Sequence, residues 1–130
     1  MRVKQGKELL PESCDECNVY VAVDDALAIT TADNDVRFYN LVDSSWKPKK
    51  SFTVGTSSLL TPAISGNVAV IGAYLENGNT GAAYIYERDP ISNVWNLATR
   101  LAPADLTSGA GFGNSVAVDG DVVVVGAPYD

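Results

Sequence analysis

The stretch GFGNSVAVDGDVVVVGAPYD at residues 111–130 decides the fold of this chain. Its first part, SVAVD, alternates in polarity, and an Asp-Gly turn and the apolar run VVVV follow it. This order is typical of a β-hairpin, because Asp-Gly suits a tight turn that needs a positive φ. An apolar run of this kind, bounded by turn signals, predicts a strand that is covered on both faces.

The hairpin pattern occurs three times along the chain. The segments are VYVAVDDALAITTA at residues 19–32, TPAISGNVAVIGAY at residues 61–74 and SVAVDGDVVVVGAP at residues 115–128. The sequence places their turns at Asp24-Asp25, Ser65-Gly66 and Asp119-Gly120. Because the first turn lacks glycine, we expect it to be looser than the other two. A recurring hairpin of this kind predicts a repeat architecture.

Two further strands follow each of the first two hairpins. They are VRFYNLV at residues 36–42 and WKPKKSF at 46–52, then GAAYIYERD at 81–89 and VWNLATRL at 94–101. Tyr39 and Tyr86 occupy matching positions, as do Trp46 and Trp95. Each repeat therefore has four strands, and no segment has convincing helical periodicity.

Four antiparallel strands per unit, repeated at about 40–50 residues and covered on both faces, indicate an all-β fold of β-propeller blades. We predict blade 1 at residues 19–52, blade 2 at 60–101 and the first hairpin of a truncated blade 3 at 112–130. Residues 1–18 would hold the last strand of a preceding blade, at KELL, and a cysteine-containing loop. A two-sheet sandwich is the alternative, but its strands would each have a polar face.

The last repeat, FGNSVAVDGDVVVVGAP, resembles an FG-GAP repeat, the blade unit of integrin α-chain propellers and of many microbial and algal surface proteins. The residues that carry the resemblance are Phe112, Gly113, Gly120, Gly126, Ala127 and Pro128, with Gly72 and Ala73 in the second repeat. The FG element is missing from the two earlier repeats. We expect these residues to be structural, because glycine allows positive φ and close backbone approach, and proline ends a strand. The resemblance implies about two and a half blades of an incomplete, seven-bladed β-propeller.

The resemblance also implies a function, which is that of a non-catalytic interaction or adhesion module binding protein or glycan at an extracellular cell surface. In integrin-like blades a calcium loop joins the first two strands. Here two-residue turns occupy that place and cannot wrap an ion, so we expect no cofactor in this chain, and calcium only in other blades of the parent. Asp33 and Asp35 are weak metal candidates, since their spacing suits ligands but no glycine or distal glutamate follows.

The charge balance and composition exclude several classes of function. A net charge of −7 argues against nucleic-acid binding, and we interpret the basic cluster of Lys47, Lys49 and Lys50 as a solvated strand edge. The absence of histidine removes His-based catalysis and His-ligated metals. No apolar run is long enough for a membrane span, and the N-terminal stretch has no secretory signal pattern.

Cys14 and Cys17 form the motif C-D-E-C. We interpret them as a small loop disulfide or as two inert thiols. A redox pair would need a helix N-terminus to lower the thiol pKa, and an acidic loop surrounds this pair instead.

Two alternatives to a binding module stay open. The chain could be the propeller appendage of a phospholipase- or glycosidase-like hydrolase, whose candidate carboxylates are Glu76, Asp105, Asp119, Asp121 and Asp130. It could instead be a truncated fragment with no independent function. The open blade faces would then be covered by the rest of the propeller or by self-association.

Overall fold

The computed structural model describes residues 18–55 and 59–130. Two antiparallel four-stranded sheets, which we call sheet 1 and sheet 2, are followed by a two-stranded hairpin. Sheet 1 consists of β1 (Val19–Asp24), β2 (Leu27–Ala32), β3 (Asp35–Val42) and β4 (Ser45–Thr53). Sheet 2 consists of β5 (Leu60–Ser65), β6 (Val68–Ala73), β7 (Ala82–Arg88) and β8 (Trp95–Leu101), and the hairpin of β9 (Ser115–Asp119) and β10 (Val122–Gly126). The all-β fold and the antiparallel four-stranded units are confirmed. Cys14, Cys17 and the KELL segment lie outside the described residues.

The three hairpin turns are equivalent, and each begins one residue later than the sequence suggested. The first strand of each hairpin ends at Asp24, Ser65 or Asp119, which pairs across the turn with Leu27, Val68 or Val122 respectively. The first turn residue is Asp25, Gly66 or Gly120, with φ of 52°, 55° and 59°. The expectation of a looser first turn is therefore wrong, since aspartate tolerates the left-handed region well enough to replace glycine there.

Sheets 1 and 2 also share an irregularity that the sequence pattern did not predict. The pairing of β3 with β4 shifts between Phe38 and Tyr39, and the pairing of β7 with β8 shifts between Ile85 and Tyr86. These are matching positions, because Tyr39 and Tyr86 align in the repeat. A bulge bends a strand and increases its twist, so both sheets take the same curvature at the same place.

An aromatic cluster holds sheet 1 against sheet 2. The Phe38 ring stacks on Trp95 with centroids 4.4 Å apart and meets Tyr86 and Phe52 at an angle, with centroids at 5.7 and 5.9 Å. Phe38, Tyr86 and Trp95 are all at most 2% exposed. Full burial of a side chain of this size stabilises by about 1.5–3 kcal/mol, and an aromatic pair adds about 0.5–1.5 kcal/mol. This cluster is the main core of the described residues.

A second, aliphatic cluster holds the β9–β10 hairpin against sheet 2. The buried side chains of Val70, Ala83 and Ile85 contact a row of valines on one face of the hairpin. This row comprises Val116, Val118, Val123 and Val125.

The other face of β10 is open. Strands β2 and β6 are buried almost throughout, as the apolar runs predicted. In β10, however, Val122 is 59% and Val124 62% exposed. The prediction that β10 is covered on both faces is therefore wrong for the described residues. A run of valines shows only that a strand can be buried on both faces. It does not show that a neighbouring element covers each face.

Candidate functional site: the junction between repeats

Two motif glycines allow the backbones of sheet 2 and the β9–β10 hairpin to touch. The Gly113 amide donates to the Gly126 carbonyl at 2.9 Å, and its carbonyl accepts the Thr61 hydroxyl at 2.8 Å. A Cβ atom on Gly72 would overlap both that carbonyl oxygen and Thr61 Oγ1. Gly72 therefore acts by close approach, because no larger residue fits between Thr61 and the Gly113 backbone.

Phe112 lies on the second such contact. It forms an isolated parallel bridge with Gly81, whose φ is 93°, and a Cβ atom on Gly81 would overlap the Phe112 backbone. The Phe112 amide donates to the Thr80 carbonyl at 2.9 Å, and its half-buried ring packs on the aliphatic cluster. The FG pair thus anchors the start of the hairpin on the loop before β7.

The Gly-Ala-Pro triplet closes the other end of the hairpin. β10 ends at Gly126, the Ala127 carbonyl accepts the Asp130 amide at 3.2 Å, and the Tyr129 amide donates to the Ala110 carbonyl at 3.0 Å. The proline ring of Pro128 lies beside Gly111, whose φ is 72°. Of the remaining motif residues, Ala73 is fully buried at the end of β6 and Gly120 lies in the open turn.

Hydrogen bonds between neighbouring turns join the three repeats at one end. The Gly66 amide donates to Asp24 Oδ2 at 2.6 Å, and the Gly120 amide donates to Ser65 Oγ at 3.1 Å. In both cases the last residue of the first strand of one repeat accepts a hydrogen bond from the first turn residue of the next repeat. The same type of contact is therefore made twice, by different side chains.

A polar cluster of Glu76, Tyr84 and Arg100 lies at the opposite end of sheet 2. Glu76 opens a short helical segment, α1 (Glu76–Asn79), which is interrupted by positive φ at Asn77 and Gly78. The Tyr84 hydroxyl donates to Glu76 Oε2 at 2.6 Å, and Arg100 forms an ion pair with the same carboxylate.

Each member of this cluster is already paired. Arg100 Nε also lies 3.0 Å from Glu76 Oε1 and 3.3 Å from the Tyr84 hydroxyl. Burial and the bond to Glu76 raise the pKa of Tyr84, and the bonds to Glu76 and Tyr84 raise the pKa of Arg100. The cluster therefore fixes the α1 loop over the sheet.

The structure does not bring the five candidate hydrolase carboxylates together. Glu76, Asp105 and Asp130 lie at the end of the sheets where β9 begins, whereas Asp119 and Asp121 flank the turn where β9 ends. The five-residue length of β9 separates the two groups by about 13 Å at 3.3 Å per residue. Glycosidases need two carboxylates about 5–10 Å apart across one cleft, so such a pair cannot combine a residue of one group with a residue of the other. Asp130 accepts the Thr107 amide at 2.9 Å, which lowers its pKa.

The two weak metal candidates, Asp33 and Asp35, have different surroundings. Asp33 is exposed in the β2–β3 turn with φ of 52°, whereas Asp35 Oδ1 accepts the Thr53 hydroxyl at 3.4 Å and Oδ2 lies 3.8 Å from Arg37. Within residues 18–55 and 59–130, no three His, Cys, Asp or Glu side chains form a group that could hold a metal ion. Lys47 and Lys49 are exposed on the edge strand β4, and Lys50 reaches Asn96 at 3.3 Å.

Sequence reasoning missed the side chains that join the repeats. Thr31 donates to the Leu60 carbonyl at 2.8 Å, as Thr61 does to Gly113, and both partners are distant in sequence. The aligned repeats nonetheless contain a signal, because each hairpin has a hydroxyl residue in the equivalent cross-strand pair. The Glu76–Tyr84–Arg100 cluster left no comparable pattern.

Antiparallel four-stranded units that pack side by side define a β-propeller-type repeat protein. Residues 95–130 match the family model for the FG-GAP repeat. The chain therefore contains an FG-GAP repeat at these residues, and the resemblance inferred from its motif is confirmed. No curated protein and no solved structure matches the chain. Among the described residues, no helix has the length and apolar character needed to cross a membrane.

Proposed function

We propose that this chain is part of a non-catalytic propeller module that binds a protein or glycan at an extracellular cell surface. The observation that carries the proposal is Ile91, which is 93% exposed at the tip of the loop between β7 and β8. Binding residues concentrate on loops that a rigid scaffold holds in place, and Ile91 lies at the tip of such a loop.

The loop that carries Ile91 is held in a defined shape. Asp89 Oδ1 accepts the amides of Ile91 at 2.8 Å and Ser92 at 3.2 Å, and the Asp89 carbonyl accepts the Asn93 amide at 2.8 Å. Asn93 has a positive φ of 61°, which turns the chain back into β8. An ordered apolar tip loses little conformational entropy when it binds, which favours a recognition role.

The surroundings of Ile91 favour a protein ligand over a glycan. The turns β1–β2, β3–β4 and β9–β10 lie at the same end of the sheets as this loop, because successive strands alternate in direction. Exposed acidic residues in these turns and in the Ile91 loop are Asp25, Asp43, Asp89, Asp119 and Asp121. A partner surface with an apolar pocket and basic residues around it would complement this end.

The test is a binding screen on arrays of extracellular-matrix proteins and of glycans, with Ile91→Ser compared with wild type. The matched control is Tyr129→Ser, which removes a 73% exposed side chain at the other end of the sheets. We expect binding that is lost in Ile91→Ser and kept in Tyr129→Ser. Absence of binding on both arrays, or binding that Ile91→Ser leaves unchanged, would refute the proposal. Ester or glycoside hydrolysis that Asp105→Asn abolishes would support the hydrolase alternative instead.

A further inference from the structure

The outer strands of the two sheets, β4 and β8, occupy equivalent positions and can be compared residue by residue. Each is the last strand of its sheet and, among the described residues, pairs on one side only. Pro48 of β4 pairs with Tyr39. Leu97 of β8 pairs with Tyr86, the residue equivalent to Tyr39, and a bulge follows in both sheets. Pro48 and Leu97 therefore mark the same place on the two free edges.

The hydrogen bonds of β7 show that Leu97 presents its backbone groups to the open side of β8. Successive residues of an antiparallel strand point their N–H and C=O groups alternately toward one neighbour and the other. The Arg88 amide donates to the Asn67 carbonyl at 2.9 Å, on the β6 side. Tyr86, two residues earlier, points the same way, so neither residue bonds to β8. Their partners Trp95 and Leu97 therefore turn their backbone groups outward.

The equivalent place on β4 is occupied by a proline, which has no amide to donate. The Leu41 amide donates to the Ala26 carbonyl at 2.8 Å, on the β2 side, so the same alternation turns the backbone of Pro48 outward. Proline and lysine on an edge strand both oppose the addition of another strand. The lysines beside Pro48 are Lys47, Lys49 and Lys50. The β4 edge is thus closed to a further strand.

The β8 edge carries neither proline nor lysine. Asn96, Ala98 and Thr99 stand where β4 has its lysines. All of residues 96–100 are exposed, and Leu97 is 49% exposed. A free edge with an apolar side chain is a template for an added strand. Because the bulge follows Leu97, regular pairing is confined to the stretch before it, which suits a short segment.

Lysines of sheet 1 lie beside this edge and favour an acidic segment. Lys50 Nζ donates to Asn96 Oδ1 at 3.3 Å. Lys50 pairs across the sheet with Phe38, whose ring stacks on sheet 2, so its side chain lies on the side that faces sheet 2. Lys47 lies on the same side, because its partner Asn40 is two residues from Phe38. Neither lysine forms an ion pair within the described part of the chain.

Leu97 faces the same gap between the sheets, because its partner Tyr86 contacts Phe38. Alternate residues of an added strand would point to one face. An apolar residue beside Leu97 would therefore have, two residues along, a side chain directed into the gap lined by Lys47 and Lys50. A carboxylate at that position would complement the lysines.

We propose that the β8 edge binds an extended acidic segment of a partner protein by β-strand addition. Trp95 and Leu97 supply the backbone hydrogen bonds, and Lys47 and Lys50 pair with carboxylates of the segment. The segment has an apolar residue beside Leu97 and an acidic residue two positions away. This site is separate from the Ile91 loop and does not depend on the ligand proposed for that loop.

The experiment titrates the isotope-labelled full chain with a capped heptapeptide and follows the backbone amides by NMR. The peptide has glutamate at its second and sixth positions, valine at its centre and threonine elsewhere, and the matched peptide has lysine in place of glutamate. We expect the Trp95 and Leu97 amides to shift with the acidic peptide while the β4 amides do not. The lysine peptide should bind about fivefold more weakly, as expected for the loss of an exposed ion pair.

Two backbone variants make the result specific. Leu97→Pro should abolish binding and leave the Tm nearly unchanged, because Pro48 occupies the equivalent place in β4. Pro48→Leu should do the converse and bring the β4 amides into the response. Lys50→Gln should weaken binding by about twofold to fivefold. If Leu97→Pro lowers the Tm, the acidic peptide with N-methylated amides tests the same pairing on the unaltered chain, and it should not bind.

Absence of shifts at Trp95 and Leu97 with the acidic peptide would overturn the proposal. Equal binding of the N-methylated peptide would also overturn it, since backbone pairing would then play no part. So would equal or tighter binding of the lysine peptide. Sedimentation of the chain alone tests the other occupant. A dimer that Leu97→Pro dissociates would assign the β8 edge to a second copy and overturn the choice of partner.

Discussion

Replacing Gly72 by alanine should separate the β9–β10 hairpin from sheet 2. The added methyl group would overlap the Gly113 carbonyl oxygen, which is backbone and cannot rotate away, and the hydroxyl of Thr61 on the neighbouring strand. Overpacking of this kind costs about 1–3 kcal/mol. If the hairpin moves instead, the bond between Thr61 and Gly113 is lost, at about 1 kcal/mol, together with part of the aliphatic contact.

At the upper end of the overpacking range, the loss in the free energy of unfolding is about 3 kcal/mol. With an unfolding entropy of about 2.1 cal/mol/K per residue, a chain of this size should lose roughly 10 °C in Tm. The control is Gly66→Ala, because no atom lies within 4 Å of a Cβ at Gly66 and only its φ of 55° is unfavourable. That variant should lose only about 1 kcal/mol.

The assay is urea unfolding combined with amide hydrogen exchange of β9 and β10. In Gly72→Ala, exchange should increase in the hairpin while the aromatic cluster between sheets 1 and 2 stays protected. If Gly72→Ala is as stable as Gly66→Ala, or if protection falls evenly over the whole chain, the described contact between Gly72 and Gly113 is not what holds the hairpin.

Three further perturbations test other parts of the structure. Phe38→Ala should cost about 3–5 kcal/mol in urea unfolding, because it empties the centre of the aromatic cluster; a loss below about 1 kcal/mol would mean that the sheets are not packed through it. Burial raises the pKa of Tyr86 to about 12, so its neutral form stabilises the fold below pH 10 and this contribution is lost between pH 10 and 12. Tyr86→Phe should therefore lose less stability than wild type over that range, and equal losses would contradict the burial. Glu76→Gln should cost no more than about 1 kcal/mol, because its partner Arg100 is 42% exposed, and a larger loss would show that the pair with Arg100 and Tyr84 does more than fix a loop.

The repeat could be predicted from the sequence because hairpins leave local signals. The Asp-Gly and Ser-Gly pairs identified two of the hairpins, and the apolar run that follows Asp24-Asp25 identified the third. The turn positions were one residue early, since a pattern of residue types does not state which residue has the positive φ. Asp25 is an example. It has a positive φ of 52°, but a search for glycine at turn positions does not identify it.

The contacts between repeats could not be predicted in the same way. Thr61 and Gly113 are 52 residues apart, and nothing near either residue indicates the other. The exposure of Val124 has a similar cause, since a strand suited to burial on both faces looks the same whether or not a neighbour is present. The Glu76–Tyr84–Arg100 cluster depends on a loop conformation with positive φ at Asn77 and Gly78, which has no periodic pattern.

The most direct test of the account is the contact between Phe38 and Trp95, which belong to different repeats. Their rings stack with centroids 4.4 Å apart, and the packing of sheet 1 on sheet 2 depends on them. In a solution NMR spectrum of the full chain, we predict nuclear Overhauser effects between the Phe38 ring protons and the Trp95 indole. A well-dispersed spectrum of the folded chain in which these effects are absent would contradict the side-by-side packing of the repeats.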